Sequence, residues 1–330
     1  MDFMTLYDIL YALTAKDGRE AKLFGTCALA AHEAFARSLA GEEFPELWFE
    51  IPLAGKPWLD FHALTSYKSV AGTQATFSGH GGIYADALAW FAGQEPHKVR
   101  QLALSYDTSA DDVDNPAVQL LVDGYGTAVP LAFLETAGRP DMCTPFDTFI
   151  RRIPDGWYAC YVGVFPGRDS ACSNPWVRIE CIVGDEWQQI YAENSATLRQ
   201  HLSSVGLNHL DESAIDSIQR LARSPFPLEF QFNVGPDGKA LPVLSASVRF
   251  QAKDWQGFTR LGTIGRLAGW LQSCGLADER CGLLTQTAFA KRVTHGSESH
   301  LLSCFPAFVK LRWREGMPPD AKAYLLAQVE

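Results

Sequence analysis

The sequence predicts an α+β protein: a closed, ten-stranded antiparallel barrel of five hairpins ringed by helices. Three observations carry this. Short runs alternating apolar and polar residues come in pairs, most joined by tight turn sequences, so each pair reads as an antiparallel hairpin. Helical patterns return between the pairs, so the repeating unit is a hairpin plus helices rather than one strand plus one helix, which would favour a parallel sheet. Helices covering one face of such a sheet leave the polar rows to face an interior, and closing the sheet removes its exposed edges.

The elements follow in order. "GREAKLFGTCALAAHEAFARSLAG" reads as a helix stopping at Gly41. "LWFEIPLAGKPWLDFHAL" gives two short strands about a Gly-Lys-Pro turn, and "GGIYADALAWFAG" a helix capped by Gly93. "VRQLALSYD" and "AVQLLVDG" form the second strand pair, followed by the short helix "AVPLAFLETAG" ending at Gly138. The third pair is "WYACYVGVF" and "WVRIECIV", joined by the polar loop "PGRDSACSNP". Two helices come next, "ENSATLRQHLSSVG" and "DESAIDSIQRLARS". The second has Asp211 at its N-cap and Pro225 just past its end. The fourth pair, "PLEFQFNVGPDGKALPVLSASVRF", turns at "GPDG". "TRLGTIGRLAGWLQSCG" and "DERCGLLTQTAFAKRV" read as helices, and "VKLRWREGMPPDAKAYLLAQ" is the fifth hairpin.

The chain has 330 residues, 47% of them hydrophobic and 12% aromatic, which is ample for a large core. No Pro- or Ser-rich linker divides it, so a single domain over residues 1–330 is expected. A net charge of -10 argues against nucleic acid as the main partner. The first residues carry no basic n-region and no apolar run reaches membrane-spanning length, so a soluble cytoplasmic protein without a membrane partner is expected. None of the eight cysteines forms a C-x-x-C pair, and they read as reduced, mostly buried thiols.

The strand faces point to the chemistry. Val177, Ile179 and Cys181 alternate with Arg178 and Glu180, and Phe230 and Phe232 with Glu229, Gln231 and Asn233. Leu244, Ala246 and Val248 alternate with Ser245, Ser247 and Arg249, while Asp60 and His62 share one face of the first hairpin. In the last hairpin Lys310, Arg312, Lys322 and Tyr324 fall on one face. Gathered into a lumen, Arg178, Arg249, Lys310, Arg312 and Lys322 would be strongly cationic and would need water, carboxylates or an anionic ligand, with Asp60, Glu180 and Glu229 as part of the balance.

Five helix-flanked hairpins around a polar lumen resemble the barrel of the aromatic prenyltransferases, the ABBA or PT-barrel group that includes tryptophan dimethylallyltransferases and cyanobactin prenyltransferases. "AKAYLL" looks like that family's Lys-x-Tyr strands, and "GKPWLDFHAL" resembles its first-hairpin segment, in which a carboxylate follows a Gly-x-Pro turn. The resemblance implies that Lys322 binds a diphosphate, that Tyr324 shields an allyl cation and that Asp60 acts on the acceptor's N–H. It carries the diphosphate role to Arg178, Arg249 and Lys310, and makes Glu180, Glu229 and Arg312 further substrate-binding candidates. The family segment normally carries Glu where Asp60 stands, and its Lys-x-Tyr pattern recurs, whereas the other strands here read "VRIEC", "VRF" and "VKLRW". Tyr158 and Tyr106 are the supplements for the missing tyrosines.

The implied activity is transfer of an allylic group from its diphosphate to an indole or phenol, free or in a peptide. The alternative is a non-catalytic barrel that binds a peptide or protein partner in a modified-peptide or natural-product pathway. An isomerase or cyclase acting on another anionic substrate in the same lumen is a third reading. Ionising an allylic diphosphate needs cations at the leaving group and π-faces at the carbocation. No DDxxD motif occurs and "ADDVDNP" has the wrong spacing, so no cofactor is required, although Mg2+ is compatible with a diphosphate ligand. His295, Glu298 and His300 in "HGSESH" read as solvated rather than zinc-binding, and no G-x-S-x-G nucleophile motif is present. Trp48, Trp58, Trp90, Trp176, Trp270 and Trp313 read as core or outer-face packing.

Overall fold

A computed structural model describes residues 6–14, 22–23, 46–65, 83–95, 99–107, 116–124, 126–166, 175–250, 261–287, 289–295 and 298–329. Its strands are β1 (Glu46–Pro52), β2 (Asp60–Thr65), β3 (Val99–Tyr106), β4 (Ala117–Gly124), β5 (Trp157–Val164), β6 (Val177–Val183), β7 (Leu228–Val234), β8 (Ala240–Arg249), β9 (Phe289–His295), β10 (Glu298–Arg314) and β11 (Met317–Val329). They form one antiparallel sheet in the order β11-β1-β2-β3-β4-β5-β6-β7-β8-β10-β9, and a further β10–β11 pairing closes the ring. The result is a closed ten-stranded barrel with β9 as an extra strand.

The long strand β10 explains where the extra strand attaches. Its first half, Glu298 to Cys304, pairs with β9, and its second half, Phe308 to Arg314, pairs with β8. The switch falls at Pro306, which has no N–H to donate, and the register with β11 shifts between Pro306 and Phe308. The sequence pattern continues a helix through Phe289 to Val293. Instead a 3-10 helix ends at Gln286 and the chain turns extended, because the half of β10 that β8 does not reach takes β9 as its partner. His295 and Glu298 are therefore cross-strand partners in that hairpin.

The outer face is apolar and carries the core. Leu47, Phe49, Ile51, Val177, Ile179, Phe230, Phe232, Leu311, Ala323 and Leu325 are all fully buried. Burial of each large side chain among them contributes about 1.5–3 kcal/mol. The covering helices are α1 (Leu6–Thr14), α2 (Ile83–Ala92), α3 (Ala128–Thr136), α4 (Cys143–Ile150), α5 (Asp185–Glu193), α6 (Ser195–Ser204), α7 (Glu212–Ala222) and α8 (Leu261–Ser273). In α7, Asp211 caps the first turn by accepting from the Ala214 amide at 2.8 Å, and Ile215, Ile218, Leu221 and Ala222 form the buried stripe. Gly138 ends the turn after α3 with φ 69°, a left-handed conformation that glycine adopts at no steric cost.

Helices α1, α4 and α5 were not expected from the sequence. In α4 and α5 the helical stripe is short, with Phe146 and Phe149 in one and Gln188 and Tyr191 in the other, so periodicity is a weak signal. The helix expected over "GREAKLFGTCALAAHEAFARSLAG" lies outside the described residues apart from Lys22 and Leu23. So do most of the "SGHGGIY", "ADDVDNP" and "PGRDSACSNP" segments. No helix is long and apolar enough to cross a membrane among the described residues.

Candidate active site

The polar rows converge because the strand registers bring them to one face. Glu50 stands opposite both Asp60 and Tyr324, Lys310 opposite Lys322, and Tyr324 opposite Phe308. Arg249 also stands opposite Phe308, and Glu180 lies between Tyr161 and Gln231. A bulge at Cys160 makes two residues of β5 oppose one of β6 and turns Tyr161 inward. Gly163 leaves room for Gln119, whose Cγ would lie 2.9 Å from a Cβ at that position. The lumen holds a cavity that opens to solvent, lined by residues of these rows.

One wall is organised around Glu50. Its carboxylate accepts from the Lys322 ammonium and the Tyr324 hydroxyl, and the His62 Nε2 lies 3.5 Å away. Burial acts to raise its pKa, but Lys322, His62 and Lys310 outweigh it and hold it well below the usual carboxylate range. Behind it, the Gln119 amide donates to the Ser105 hydroxyl, and that hydroxyl is hydrogen-bonded to His62 Nδ1. Asp60 lines the same wall and accepts from the Trp58 indole at 3.1 Å.

The opposite wall is organised around Arg249. Its Nη2 donates to Glu229 Oε2 at 3.1 Å, its Nε lies 2.5 Å from Glu229 Oε1, and Glu180 Oε1 is 3.8 Å away. Glu229 is fully buried, and burial together with the Glu180 charge raises its pKa to about 8 against the pull of Arg249. Burial also opposes ionisation of Glu180, but Lys310, hydrogen bonding from Glu229 and Arg249 hold its pKa below the ordinary value. Between the walls stands Lys310. Its Nζ donates to the Tyr324 hydroxyl at 3.0 Å and sits 4.6 Å from the Tyr324 ring centroid and 5.4 Å from that of Phe308. Burial pushes its pKa down to about 8, against the attraction of Glu180 and Glu50. Arg178 packs its guanidinium over Phe165 at 4.2 Å and donates to Asn233 at 3.1 Å.

The structure thus brings Asp60, Arg178, Glu180, Arg249, Lys310 and Tyr324 to the cavity. Glu229 lies buried behind Arg249, and Lys322 reaches the site through Glu50. Arg312 is not among the lining residues. It is held by Asp320 of β11, with Nε donating to Oδ2 at 3.1 Å, and Arg314 shares the same carboxylate. Among the described residues the lumen is not the strongly cationic one expected from the sequence. Glu50, Asp60, Asp107 and Glu180 line the cavity against Arg178, Arg249 and Lys310. Trp48, expected to pack in the core or on the outer face, lines the cavity, its ring centroid 5.2 Å from that of Phe308. Tyr106 lines the cavity but Tyr158 does not, and the Cys160 bulge puts Tyr161 there instead.

Sequence reasoning missed Glu50, Trp48 and Tyr161. The period-two signal for the first two was present in "LWFEIP", where Trp48 and Glu50 alternate with Leu47, Phe49 and Ile51. Tyr161 depends on a bulge that periodicity does not reveal. Among the described residues, no group of three or more His, Cys, Asp or Glu could hold a metal ion.

No protein-family model matches this chain, and no curated protein matches it in sequence. Solved structures match it along its length. A 6-dimethylallyltryptophan synthase from Micromonospora olivasterospora in complex with DMASPP and Trp is 13% identical, with 98% of this chain and 97% of that chain covered at a TM-score of 0.52. A 6-dimethylallyl tryptophan synthase is 13% identical, with 98% and 96% covered at a TM-score of 0.56. The prenyltransferase PriB, in a ternary complex with L-tryptophan and dimethylallyl thiolodiphosphate, is 10% identical, with 98% and 96% covered at 0.56. The closed strand order, the helical cover and these full-length matches together show that this chain has the PT-barrel fold of the aromatic prenyltransferases.

Proposed function

We propose that the protein transfers an allylic group from its diphosphate to an aromatic acceptor, an indole or phenol, free or in a peptide, within one barrel domain over residues 1–330. The observation that carries this reading is the position of Lys310, a buried ammonium set against the faces of Tyr324 and Phe308 in a closed lumen. A cation there stabilises the charge that develops on a leaving diphosphate, and the adjacent π-faces stabilise an allyl cation. The allylic C–O bond breaks and its electron pair leaves with the diphosphate. The acceptor ring supplies the pair for the new C–C or heteroatom–C bond, and its proton passes to a carboxylate.

Arg178, Arg249, Lys310 and Lys322 would hold the diphosphate, Tyr324 and Phe308 would shield the cation, and Asp60 would receive the proton. Glu50, directly across β1–β2 from Asp60, would orient Lys322 and Tyr324. Arg312 is left out, because Asp320 engages it away from the cavity. The chain's own cations serve the leaving group, so the reading requires no metal, and Mg2+ is compatible with it. A cytoplasmic location belongs to the same reading, since the described cysteines are free thiols, which suit a reducing compartment.

The second reading, a non-catalytic barrel that holds a peptide or protein, is favoured by the pairing of Arg249 with Glu229 and of Lys322 with Glu50. Incubation with dimethylallyl and geranyl diphosphates and a panel of tryptophan and tyrosine acceptors, read by mass spectrometry, separates the two. A prenylated product supports transfer. No product, together with no diphosphate-dependent thermal shift, removes the enzyme reading, and a peptide co-purifying at stoichiometric ratio would establish the other.

A further inference from the structure

We propose that Glu180 and Glu229 form a proton-accepting pair behind the anion end of the lumen, so that a polyanion such as a diphosphate is bound there together with a proton. The proposal rests on the reading of the lumen as a diphosphate site.

The geometry is that of two buried carboxyls competing for one guanidinium. Glu229 has no exposed surface, and Arg249 contacts both of its oxygens. The same guanidinium is 3.8 Å from Glu180, which is itself buried and lines the cavity. Gln231 donates to Glu180 Oε2 at 2.9 Å and accepts from Lys310 at 3.4 Å, so Lys310 belongs to the same cluster. With both carboxyls ionised, their charges cancel those of Arg249 and Lys310. A polyanion approaching Arg249 would then lie beside the buried Glu180 carboxylate, and like charges at that range repel. Taking one proton from solvent onto the pair removes that repulsion and frees the Arg249 charge for the ligand. Linkage is reciprocal: if the proton favours the anion, the anion favours the proton.

The other groups facing the pair do not replace it. Burial raises the pKa of Cys160 and Tyr161 on β5, keeping both neutral. Arg178 on β6 stays charged. Across the lumen, Glu50 is held ionised by Lys322, and burial keeps Tyr324 protonated. Lys310 is the exception, since its pKa, like that of Glu229, lies at about 8. Lys310→Arg retains the charge while removing that titration.

Calorimetric titration of inorganic diphosphate at pH 8, in two buffers of different ionisation enthalpy, counts the protons taken up. The wild type is expected to take up roughly half a proton more per diphosphate than Glu229→Gln, as for a group near its midpoint. In a Lys310→Arg background, where the lysine takes up no proton of its own, Glu229→Gln should still lower the uptake by the same roughly half proton. Glu180→Gln, the second variant should Glu229→Gln fold poorly, should lose the same excess. Diphosphate binding with equal proton uptake in the wild type and the folded Glu variants overturns the pair but leaves the diphosphate site standing. No diphosphate binding by the wild type overturns both.

Discussion

Glu50 and Lys322 join the first strand of the barrel to the last, 272 residues apart in sequence, and Tyr324 donates to the same carboxylate. This contact lies where the first and last strands of the barrel meet, on the face that lines the cavity. Glu50 and Lys322 are each largely buried, so removing the cation leaves a carboxylate with little water to replace it.

Lys322→Ala should therefore destabilise the protein by about 1–3 kcal/mol at pH 7, less than for a fully buried pair because both side chains retain some exposure. The pH dependence has a definite sign. The folded-state pKa of Glu50 is depressed, so its contribution is present above the unfolded carboxylate pKa and is lost as pH falls through the folded value. Urea denaturation at pH 7 and at successive steps downward from the ordinary carboxylate pKa should show the difference between wild type and Lys322→Ala shrinking as the acid deepens. An unchanged difference would place the stabilising contact elsewhere.

Much of this arrangement is legible in the amino-acid sequence. Asp60, Arg178, Glu180, Arg249, Lys310 and Tyr324 stand on alternating rows, and alternation survives folding wherever the strand stays in register. What failed were features set by long-range partners. Phe289–His295 became a strand because β10 outruns β8. Tyr161 turned inward because of a bulge. Arg312 kept its row, yet the structure pairs it with Asp320 across β10–β11 away from the cavity. The expected excess of positive charge disappeared because carboxylates on neighbouring strands, Glu50 above all, meet the cations in register, a match no single strand contains.

Arg249→Ala and Lys310→Met should part company in stability. Considered strand by strand, both cations relieve repulsion when removed. In the folded lumen Arg249 donates to the fully buried Glu229 and faces the ionised Glu180, so Arg249→Ala leaves both without a partner and should cost about 3 kcal/mol. Lys310 is a cation whose charge burial itself disfavours, so Lys310→Met should stay within about 1 kcal/mol of wild type. Both should weaken binding of inorganic diphosphate by about tenfold. Denaturant midpoints and calorimetry on the same preparations test the pair. Equal stability losses would mean that Arg249 and Glu229 do not depend on each other.

Glu229 should make stability fall as pH rises. Its pKa is raised to about 8 in the folded state, so between the unfolded carboxylate pKa and about 8 the native protein holds more protons than the unfolded chain. Stability must then decline with pH across that window. Lys310, with its pKa depressed to about 8, acts above it, adding stability as pH rises towards the ordinary lysine value. Denaturation midpoints at pH 5, 6.5 and 8 should decline in the wild type, with a shallower slope in Glu229→Gln. Parallel slopes would show that Glu229 titrates alike in both states.

Asp60→Asn separates binding from chemistry. The Asp60 carboxylate lines the cavity across from Glu50, on the wall opposite Arg249, and accepts from Trp58, a bond that an asparagine Oδ1 can also accept. The substitution keeps shape and removes proton affinity, so inorganic diphosphate should bind as in wild type. Product formation, on the proposed reaction, should fall by about 10²–10⁴-fold in kcat, the usual contribution of a general base. Glu50→Gln should behave differently. It releases Lys322 and Tyr324 together, so diphosphate binding and turnover should change in the same variant. If Asp60→Asn retains full kcat while Glu50→Gln loses turnover but binds diphosphate normally, the acceptor's proton goes to Glu50, and Asp60 serves only to fix Trp58 at the lumen wall.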